Sequence, residues 1–473
     1  MDEILAASAC EAVALLQTGK VSARELCRAA IDRINAIDSK FNAVPTLCAD
    51  RALAAADNID QGKIEPADRG WLAGLPIVVK DLHHVAGVKT TFGSPIFKDH
   101  VSVHSSLIVE RLEQHGAVVI GKSNTPEFGA GANTFNEVFG ITRNPFDPAR
   151  TPGGSSGGSA AALATGMAFG ATGTDLGGSL RTPAAFCNVV GLRPSPARVP
   201  RWPSVSPFQT LDVDGPMARN VTDLALLLDA MAGADPRDPL SYPPPDQAYS
   251  RSLGRRQAKL RLGYSPDLGG ITPIDPAIRA GIDAAIAKLD AEIDTDIPDF
   301  STAPEIFQTL RAGLYVQERA PLLASHRDLL KPDVIWNIEK GEALNVSDIA
   351  SAERSRAELI AALADYFENH DLLVSAAAIV PPFPVEQRFV AKLGDHQFES
   401  YIDWLSITFA ISITGCPAMS LPCGFDENGL PMGLQLIGPP RGEAQLLAAA
   451  LQIEQTLNLS TPSVPDTVWD KSA

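Results

Sequence analysis

Two glycine-rich turns, each carrying serine, have the residue types and spacing that nucleophilic chemistry needs. The first reads GGSS at residues 153–156, and the second reads GGS at residues 177–179. Paired glycines allow positive φ angles and the close approach of another group, and successive backbone N–H groups in such turns form a concave site for an anion. A hydroxyl beside such donors suits acyl transfer, because a developing oxyanion must be stabilised next to the nucleophile. We therefore expect acyl-transfer chemistry at these turns.

A lysine at the end of a short apolar run is the second chemical feature. The stretch LAGLPIVVKDL places Lys80 directly after the β-branched residues of 75–79. Taken alone, such a lysine is expected to emerge into solvent, since lysine is rarely buried without a partner. A desolvated lysine can instead lose its proton and act as a base. Moving its pKa from about 10.4 to about 7 costs roughly 4–5 kcal/mol, so hydroxyl partners must hold it in place.

The apolar periodicity of the chain predicts an α/β fold that positions these groups. A capping box at Ser22–Glu25 opens a helix, and short strands and helices alternate from residue 72 onward. A later helix is expected to begin after Asp275 and to carry an apolar face as far as Ile293. We expect a central mixed β-sheet covered by helices on both faces. We expect one domain over residues 1–473, made of a helical layer (1–65), a core (70–235), a variable excursion that shapes the pocket (240–405) and a return to the core (406–473).

Composition excludes several classes of partner. The formal net charge of −17 argues against nucleic acid and against an anionic membrane surface, because both require clustered Lys and Arg. No run of about 18 apolar residues is present, so no membrane span is expected. The N-terminal MDEILAASACEAV lacks the basic region of a secretory signal, and the six cysteines form no C-x-x-C pair. We therefore expect a cytoplasmic protein with reduced thiols.

Three further patterns favour ordinary structural interpretations. Residues 116–123 fit the phosphate-loop expression, but the variable residues are themselves a strand, which reverses the required context. Residues 153–157 fit the G-x-S-x-G elbow of α/β hydrolases, but three prolines in 142–152 take the place of the strand that should precede it. The histidines at 83, 84, 100 and 104 match no ligand spacing, so no metal site is expected.

The chain resembles the amidase signature family over nearly its whole length. The motifs that carry the resemblance are LAGLPIVVKDL (72–82), GKSNTPEFG (121–129), TRNPFDP (142–148), TPGGSSGGS through GTDLGGSLRTPAAFCNVVGLRPS (151–195), DGPMARNVTDLALLLDAMAG (214–233) and GCPAMSLPCGF with GLPMGLQLIG (415–438). They occur in the order that the family shows. The resemblance therefore implies the amidase signature fold.

The resemblance also implies roles for individual residues. Ser179 would be the nucleophile, Ser155, in a cis peptide, would be the proton bridge, and Lys80 would be the base. Because Ser179 follows two glycines, we expect the backbone N–H groups of Leu176, Gly177, Gly178 and Ser179 itself to surround one oxygen as an oxyanion hole. The resemblance implies that no cofactor or metal is needed and that Gly129, Ala130 and Gly131 line the substrate pocket. Ser156, Asp175 and Arg181 are expected to support the site, the last two as a charge pair that fixes the second turn.

Hydrolysis of a small-molecule carboxylic amide is the activity that we expect. Residues 330–356 resemble stand-alone bacterial amidases more than glutamine-dependent subunits, which favours free hydrolysis. An amidotransferase-type subunit of the same family, an α/β-hydrolase-like esterase and a non-catalytic scaffold remain as alternatives. The sequence does not determine the oligomeric state, for which a homodimer is one candidate.

Overall fold

The computed structural model describes residues 2–254 and 259–458. In this part of the chain the strands are β1 (Thr46–Leu47), β2 (Pro76–Lys80), β3 (Val118–Ser123), β4 (Phe135–Asn136), β5 (Gly140–Ile141), β6 (Gly170–Asp175), β7 (Val190–Arg193), β8 (Val213–Ala218), β9 (Leu260–Tyr264), β10 (Ala291–Asp294), β11 (Leu372–Ala376), β12 (Lys392–Leu393), β13 (His396–Gln397), β14 (Ala418–Phe425) and β15 (Pro431–Ile437). The α-helices are α1 (Asp2–Ala6), α2 (Ala9–Gln17), α3 (Ala23–Ile37), α4 (Ala49–Asp60), α5 (Leu107–Gln114), α6 (Gly157–Ala164), α7 (Arg181–Phe186), α8 (Val221–Met231), α9 (Tyr249–Ser252), α10 (Pro276–Ile286), α11 (Ala303–His326), α12 (Pro332–Glu342), α13 (Val346–Tyr366), α14 (Ser406–Ser412) and α15 (Glu443–Leu457).

A mixed sheet of eleven strands forms the centre of these residues, in the order β1-β3-β2-β6-β8-β7-β14-β15-β11-β9-β10. Strand β2 runs parallel to both β3 and β6, and β9 runs parallel to β10 and β11. The pairs between β6 and β11 are antiparallel. Every residue of β2, β3, β6, β7, β8, β11 and β15 is buried, because both faces of these strands are covered. The prediction of a central mixed sheet flanked by helices is confirmed.

Local signals set several of these boundaries. Ser22 accepts a hydrogen bond from the Glu25 N–H while the Glu25 carboxylate accepts one from the Ser22 N–H, so α3 begins with the predicted capping box. Asp275 caps α10, and Pro276 occupies its first position. The end of α10 was predicted wrongly, because the helix stops at Ile286 and Ile293 lies on β10. Pairing of β10 with β9, a non-local interaction, takes residues 291–294 out of the helix.

The parallel arrangement of β2 and β6 determines where the chemistry lies. Ile77 is paired with Gly170 and Val78 with Ala171, so the two strands run side by side to their carboxyl ends. One strand ends at Lys80 and the other leads into the second glycine-rich turn. Ligands of α/β sheets bind at this carboxyl edge, where loops leave the sheet. In the described residues, no helix is long and apolar enough to cross a membrane.

Candidate active site

Lys80 is buried and holds three hydroxyl oxygens around its amine. Its side chain is 0% exposed, and Nζ lies 2.7 Å from Ser155 Oγ, 3.0 Å from Ser156 Oγ and 2.8 Å from Thr174 Oγ1. Within residues 2–254 and 259–458 no carboxylate lies at ion-pair distance from this amine. Burial therefore lowers the pKa of Lys80 to about 7, although more distant carboxylates, among them Asp212 and Asp175, partly oppose the shift. At neutral pH a large fraction of this lysine is uncharged and able to accept a proton.

The first glycine-rich turn brings its serines onto that amine. Helix α6 begins at Gly157, immediately after Ser156, and all of its residues are buried against the sheet. Glycine at position 158 allows this close approach, because a Cβ there would lie 2.3 Å from the backbone nitrogen of Asn124. The peptide bond between Gly154 and Ser155 is cis. Both Ser155 and Ser156 reach Lys80, whereas the sequence predicted only Ser155 as its partner.

The second turn is held by a buried ion pair. Asp175, the last residue of β6, accepts hydrogen bonds from the backbone N–H groups of Gly178 and Leu180. Arg181 donates to the same carboxylate with Nε at 3.0 Å and with Nη2 at 2.8 Å, and Arg193 lies 3.4 Å away. Burial opposes ionisation of Asp175, but the two guanidinium groups outweigh it and lower its pKa to about 2. The carboxylate is therefore charged at all ordinary pH values.

Replacement of Asp175 with asparagine is expected to destabilise the fold. The change leaves two buried guanidinium groups without their counter-ion, which costs about 3–5 kcal/mol of the free energy of unfolding. Urea denaturation measures this loss. The control is Asp57→Asn, which breaks the exposed pair with Arg24 and is expected to cost less than about 1 kcal/mol. Equal losses in the two variants would show that the buried pair does not hold the turn.

The Asp175 carboxylate changes the set of donors that remains for an oxyanion. Because the Gly178 N–H already donates to Asp175, that predicted member of the oxyanion hole is engaged elsewhere. The backbone N–H groups of Leu176, Gly177 and Ser179 have no acceptor in the described part of the chain. Gly178 itself has a φ of +117°, and a Cβ there would come within 2.3 Å of the Thr408 Oγ1, so glycine is required.

A large cavity opens onto both turns. Its volume is about 620 Å³, and Ser155, Thr174, Gly177 and Ser179 are part of its wall. The Ser179 hydroxyl makes no hydrogen bond to Ser155 or to any other residue that the structure describes. It therefore stands in the cavity wall with its proton and lone pairs free for a ligand.

The predicted pocket-lining residues divide into two groups. Gly129 and Gly131 line the cavity, and a Cβ added at Gly129, where φ is +74°, would lie 3.2 Å from Ser155 Oγ. Ala130 does not line the cavity, so this prediction is wrong. Its side chain is 1% exposed and packs in a separate hydrophobic cluster with Val334 and Ile338 of α12. The bend at the flanking glycines turns the alanine away from the ligand space.

A second layer of polar residues near Lys80 escaped the sequence analysis. Thr172 Oγ1 accepts from the Lys80 N–H at 3.0 Å and contacts His83 Nδ1 at 2.9 Å, and His83 Nε2 lies 3.2 Å from Asp214 Oδ1. Thr172 and Thr174 alternate along β6 and so face the same side of the sheet. Two threonines that are two residues apart on a strand indicate a polar face, so the sequence could have predicted this layer beside the lysine.

A second buried lysine lies next to the first. Lys122 of β3 is 0% exposed and contacts Asp81 Oδ1 at 2.9 Å and Thr90 Oγ1 at 2.9 Å. It is paired with a carboxylate, unlike Lys80, and therefore forms a buried ion pair within the sheet. Among the described residues, no group of three or more His, Cys, Asp or Glu side chains is arranged to hold a metal ion, and His84 instead makes ring contacts with His100 and His104.

The mixed sheet and the glycine-rich motifs at this cavity are those of an α/β enzyme. The family model described as Amidase matches residues 25–447, and the chain therefore belongs to the amidase signature family. Enzymes of this family act on carbon–nitrogen amide bonds, which confirms the class of enzyme expected from the motifs.

Three relatives illustrate the range of this family. The chain is 35% identical over 470 residues to a glutamyl-tRNA(Gln) amidotransferase subunit from Synechococcus sp. (strain CC9311), covering 94% of this chain and 96% of that protein. A bacterial aryl acylamidase is similar in structure with a TM-score of 0.87 and 27% identity, covering 98% of each chain. A 6-aminohexanoate cyclic dimer hydrolase, in complex with its substrate, has a TM-score of 0.85 and 25% identity, covering 97% of this chain and 99% of that one.

Proposed function

We propose that the chain hydrolyses a carboxylic amide through an acyl-enzyme formed on Ser179. The observation that carries this proposal is the buried Lys80 amine, which has hydroxyl partners and no carboxylate partner. An amine in this state is a base at neutral pH. Ser155 stands between that base and the cavity, at 2.7 Å from Nζ, and Ser179 belongs to the same cavity wall.

The protons move along one hydroxyl relay. Ser179 Oγ attacks the amide carbonyl carbon and gives its proton to Ser155 Oγ, whose own proton passes to Lys80 Nζ. The carbonyl oxygen becomes an oxyanion, which accepts hydrogen bonds from the free N–H groups of Leu176, Gly177 and Ser179. The absence of a Ser179–Ser155 hydrogen bond is compatible with this route, since catalytic hydrogen bonds commonly tighten only when substrate is bound.

Collapse of the intermediate reverses the relay. The carbon–nitrogen bond breaks, the leaving nitrogen takes a proton from Ser155, and Ser155 recovers one from Lys80. Water then adds to the ester on Ser179 by the same proton route, and the acid is released. Ser156 and Thr174 accept hydrogen bonds from the lysine throughout, and Asp175 with Arg181 keeps the second turn in shape.

Covalent labelling tests the nucleophile directly. The protein is incubated with a fluorophosphonate, digested, and analysed by mass spectrometry. We expect the added mass on the peptide that contains Ser179 and on no other serine peptide. Labelling of Ser155 or Ser156 in place of Ser179 would assign the nucleophile to the first turn and refute this proposal.

An amidotransferase subunit is the second candidate function. It is favoured by the curated relatives, which are named as subunits of glutamyl-tRNA(Gln) amidotransferase, the Synechococcus protein among them matching 94% of this chain. The aryl acylamidase and the cyclic dimer hydrolase, whose structures are similar over nearly their whole length, favour free hydrolysis. The two candidates separate in one assay. Free hydrolysis predicts amine release from aryl amides by the isolated chain, whereas activity confined to glutamine and dependent on added subunits would favour the amidotransferase.

A further inference from the structure

Arg311, on α11, is a buried cation without a counter-ion in the wall of the catalytic cavity. Its side chain is 2% exposed, and it lines the same space as Ser179. Its guanidinium donates to two neutral oxygens, the Asn337 side-chain carbonyl and the Tyr401 hydroxyl. Throughout residues 2–254 and 259–458 no carboxylate lies at ion-pair distance from it. Burial of a charge is unfavourable unless an opposite charge compensates it, so this position calls for an anion.

The other arginines of the cavity are already neutralised. Arg201 contacts Asp212 Oδ2 at 2.8 Å and Asp214 Oδ1 at 3.3 Å. Arg319, two turns beyond Arg311 on the same helix, contacts Glu318 Oε2 at 3.3 Å. Arg311 is therefore the one arginine of the described cavity wall without an ion-pair partner, and a ligand that supplies a negative charge is favoured beside it.

Helix α11 sets the distance between this charge and the nucleophile. Phe307, one turn before Arg311, packs on the second glycine-rich turn, because its ring would lie 3.1 Å from a Cβ added at Gly177. The ring is stacked on Phe409 at 4.2 Å, which fixes the helix against that turn. Four residues of helix rise about 6 Å. Arg311 therefore stands about one helical turn away from the turn that carries Ser179.

We propose that the substrate is an amide bearing a carboxylate a few bonds from the scissile carbonyl, and that Arg311 binds this carboxylate. A guanidinium presents two parallel N–H groups that match a carboxylate, which a lysine cannot do. Asn337 and Tyr401 each accept from one Nη, which leaves three of the five guanidinium N–H groups, and the Tyr315 ring centre lies 4.6 Å from Cζ. Arg311 is thus a specificity residue, and this inference rests on the proposed amide hydrolysis.

Matched pairs of amides test the proposal. The first pair is the 4-nitroanilide of succinic acid and that of 4-methylpentanoic acid, which replaces the carboxylate by an isopropyl group of the same shape. The second pair places the charge on the leaving group, as N-acetyl-4-aminobenzoate against N-acetyl-4-isopropylaniline. We expect kcat/KM to favour the charged member of at least one pair by about tenfold or more. Equal values in both pairs, within about threefold, would overturn the proposal.

Substitutions of Arg311 test whether this side chain causes the preference for the charged amide. Arg311→Met is expected to abolish the preference by lowering kcat/KM for the charged amide about 10- to 100-fold, with the neutral amide changed less than about threefold. Arg311→Lys, which keeps the charge and fills the same space should the methionine variant not fold, is expected to keep part of the preference. Arg319→Met is the control, because that guanidinium is already paired, and it should leave the preference unchanged. A preference that persists in both Arg311 variants would contradict the assignment.

Binding separates this inference from the proposed activity. Calorimetry with Ser179→Ala measures the affinity for each amide without turnover. Tighter binding of the charged member, with no hydrolysis of any amide by the native protein, would refute the hydrolysis and support the anion site. Hydrolysis of both members with equal affinity would support the hydrolysis and overturn the anion site.

Discussion

Ser179→Ala is expected to lower kcat/KM for every amide that the chain hydrolyses by at least about 10⁴-fold, because the variant loses the hydroxyl that forms the acyl-enzyme. The fold should be unaffected, since the Ser179 hydroxyl makes no hydrogen bond within the described chain and is only half-buried. The urea midpoint of the variant should therefore equal that of the native protein. Initial rates on an aryl amide and denaturation of the same preparation measure both quantities.

A second serine of the cavity wall provides the control. Ser204 lines the same space, and within the residues that the structure describes its hydroxyl accepts only from the Ser206 N–H, at 3.1 Å. Ser204→Ala should keep kcat within about twofold, as is usual for a change away from the reacting atoms. If Ser204→Ala lost activity and Ser179→Ala kept it, the nucleophile would lie in another part of the cavity and its assignment to Ser179 would be wrong.

Lys80→Met is expected to reduce kcat/KM about 10²- to 10⁴-fold at pH 7, because the relay loses the group that finally accepts the proton. The native profile should rise with pH through a midpoint near 7. The sign follows from the lowered pKa, since the neutral amine is the active form and protonation below this pH removes the base. In the variant this rise should disappear. A native profile that is flat between pH 5 and 9 would exclude lysine as the base.

Replacement of Lys122, the neighbouring buried lysine, is expected to affect stability differently from replacement of Lys80. Among the described residues Lys80 has no carboxylate partner, so replacement by methionine, which has a similar unbranched shape, leaves no buried charge unpaired and should not lower the urea midpoint. Lys122→Met, in contrast, leaves Asp81 buried and unpaired and is expected to cost about 3–5 kcal/mol of the free energy of unfolding. Comparable destabilisation in both variants would mean that the two lysines serve the same structural purpose.

The fold could be predicted where short-range patterns decide it. The capping box at Ser22–Glu25 and the beginning of the helix after Asp275 both appear as expected. The helix after Asp275 was extended too far because its apolar spacing continues to Ile293, and only pairing with β9 assigns those residues to the sheet. Such pairings depend on residues about 30 positions away, which local periodicity does not report.

The site, like the fold, could be predicted only where a local sequence motif determines it. Lys80, Ser155 and Ser179 could be selected because their motifs carry them, and the structure brings Lys80 and Ser155 into contact. The participation of the Gly178 N–H in the Asp175 bond could not be read from the sequence, because it depends on how the turn closes on that carboxylate. The Arg311 environment was equally hidden, since its partner Tyr401 is 90 residues away.

Direct titration of the Lys80 amine tests the central claim, that a buried uncharged lysine takes the proton from the serines. Protein labelled with ¹⁵N at lysine Nζ is followed by NMR between pH 5 and 10, and the Lys80 signal is identified by its absence in Lys80→Met. We expect this signal to titrate near pH 7. A Lys80 amine that stays protonated above pH 9 would contradict it, because a charged lysine cannot accept the proton that Ser155 must release.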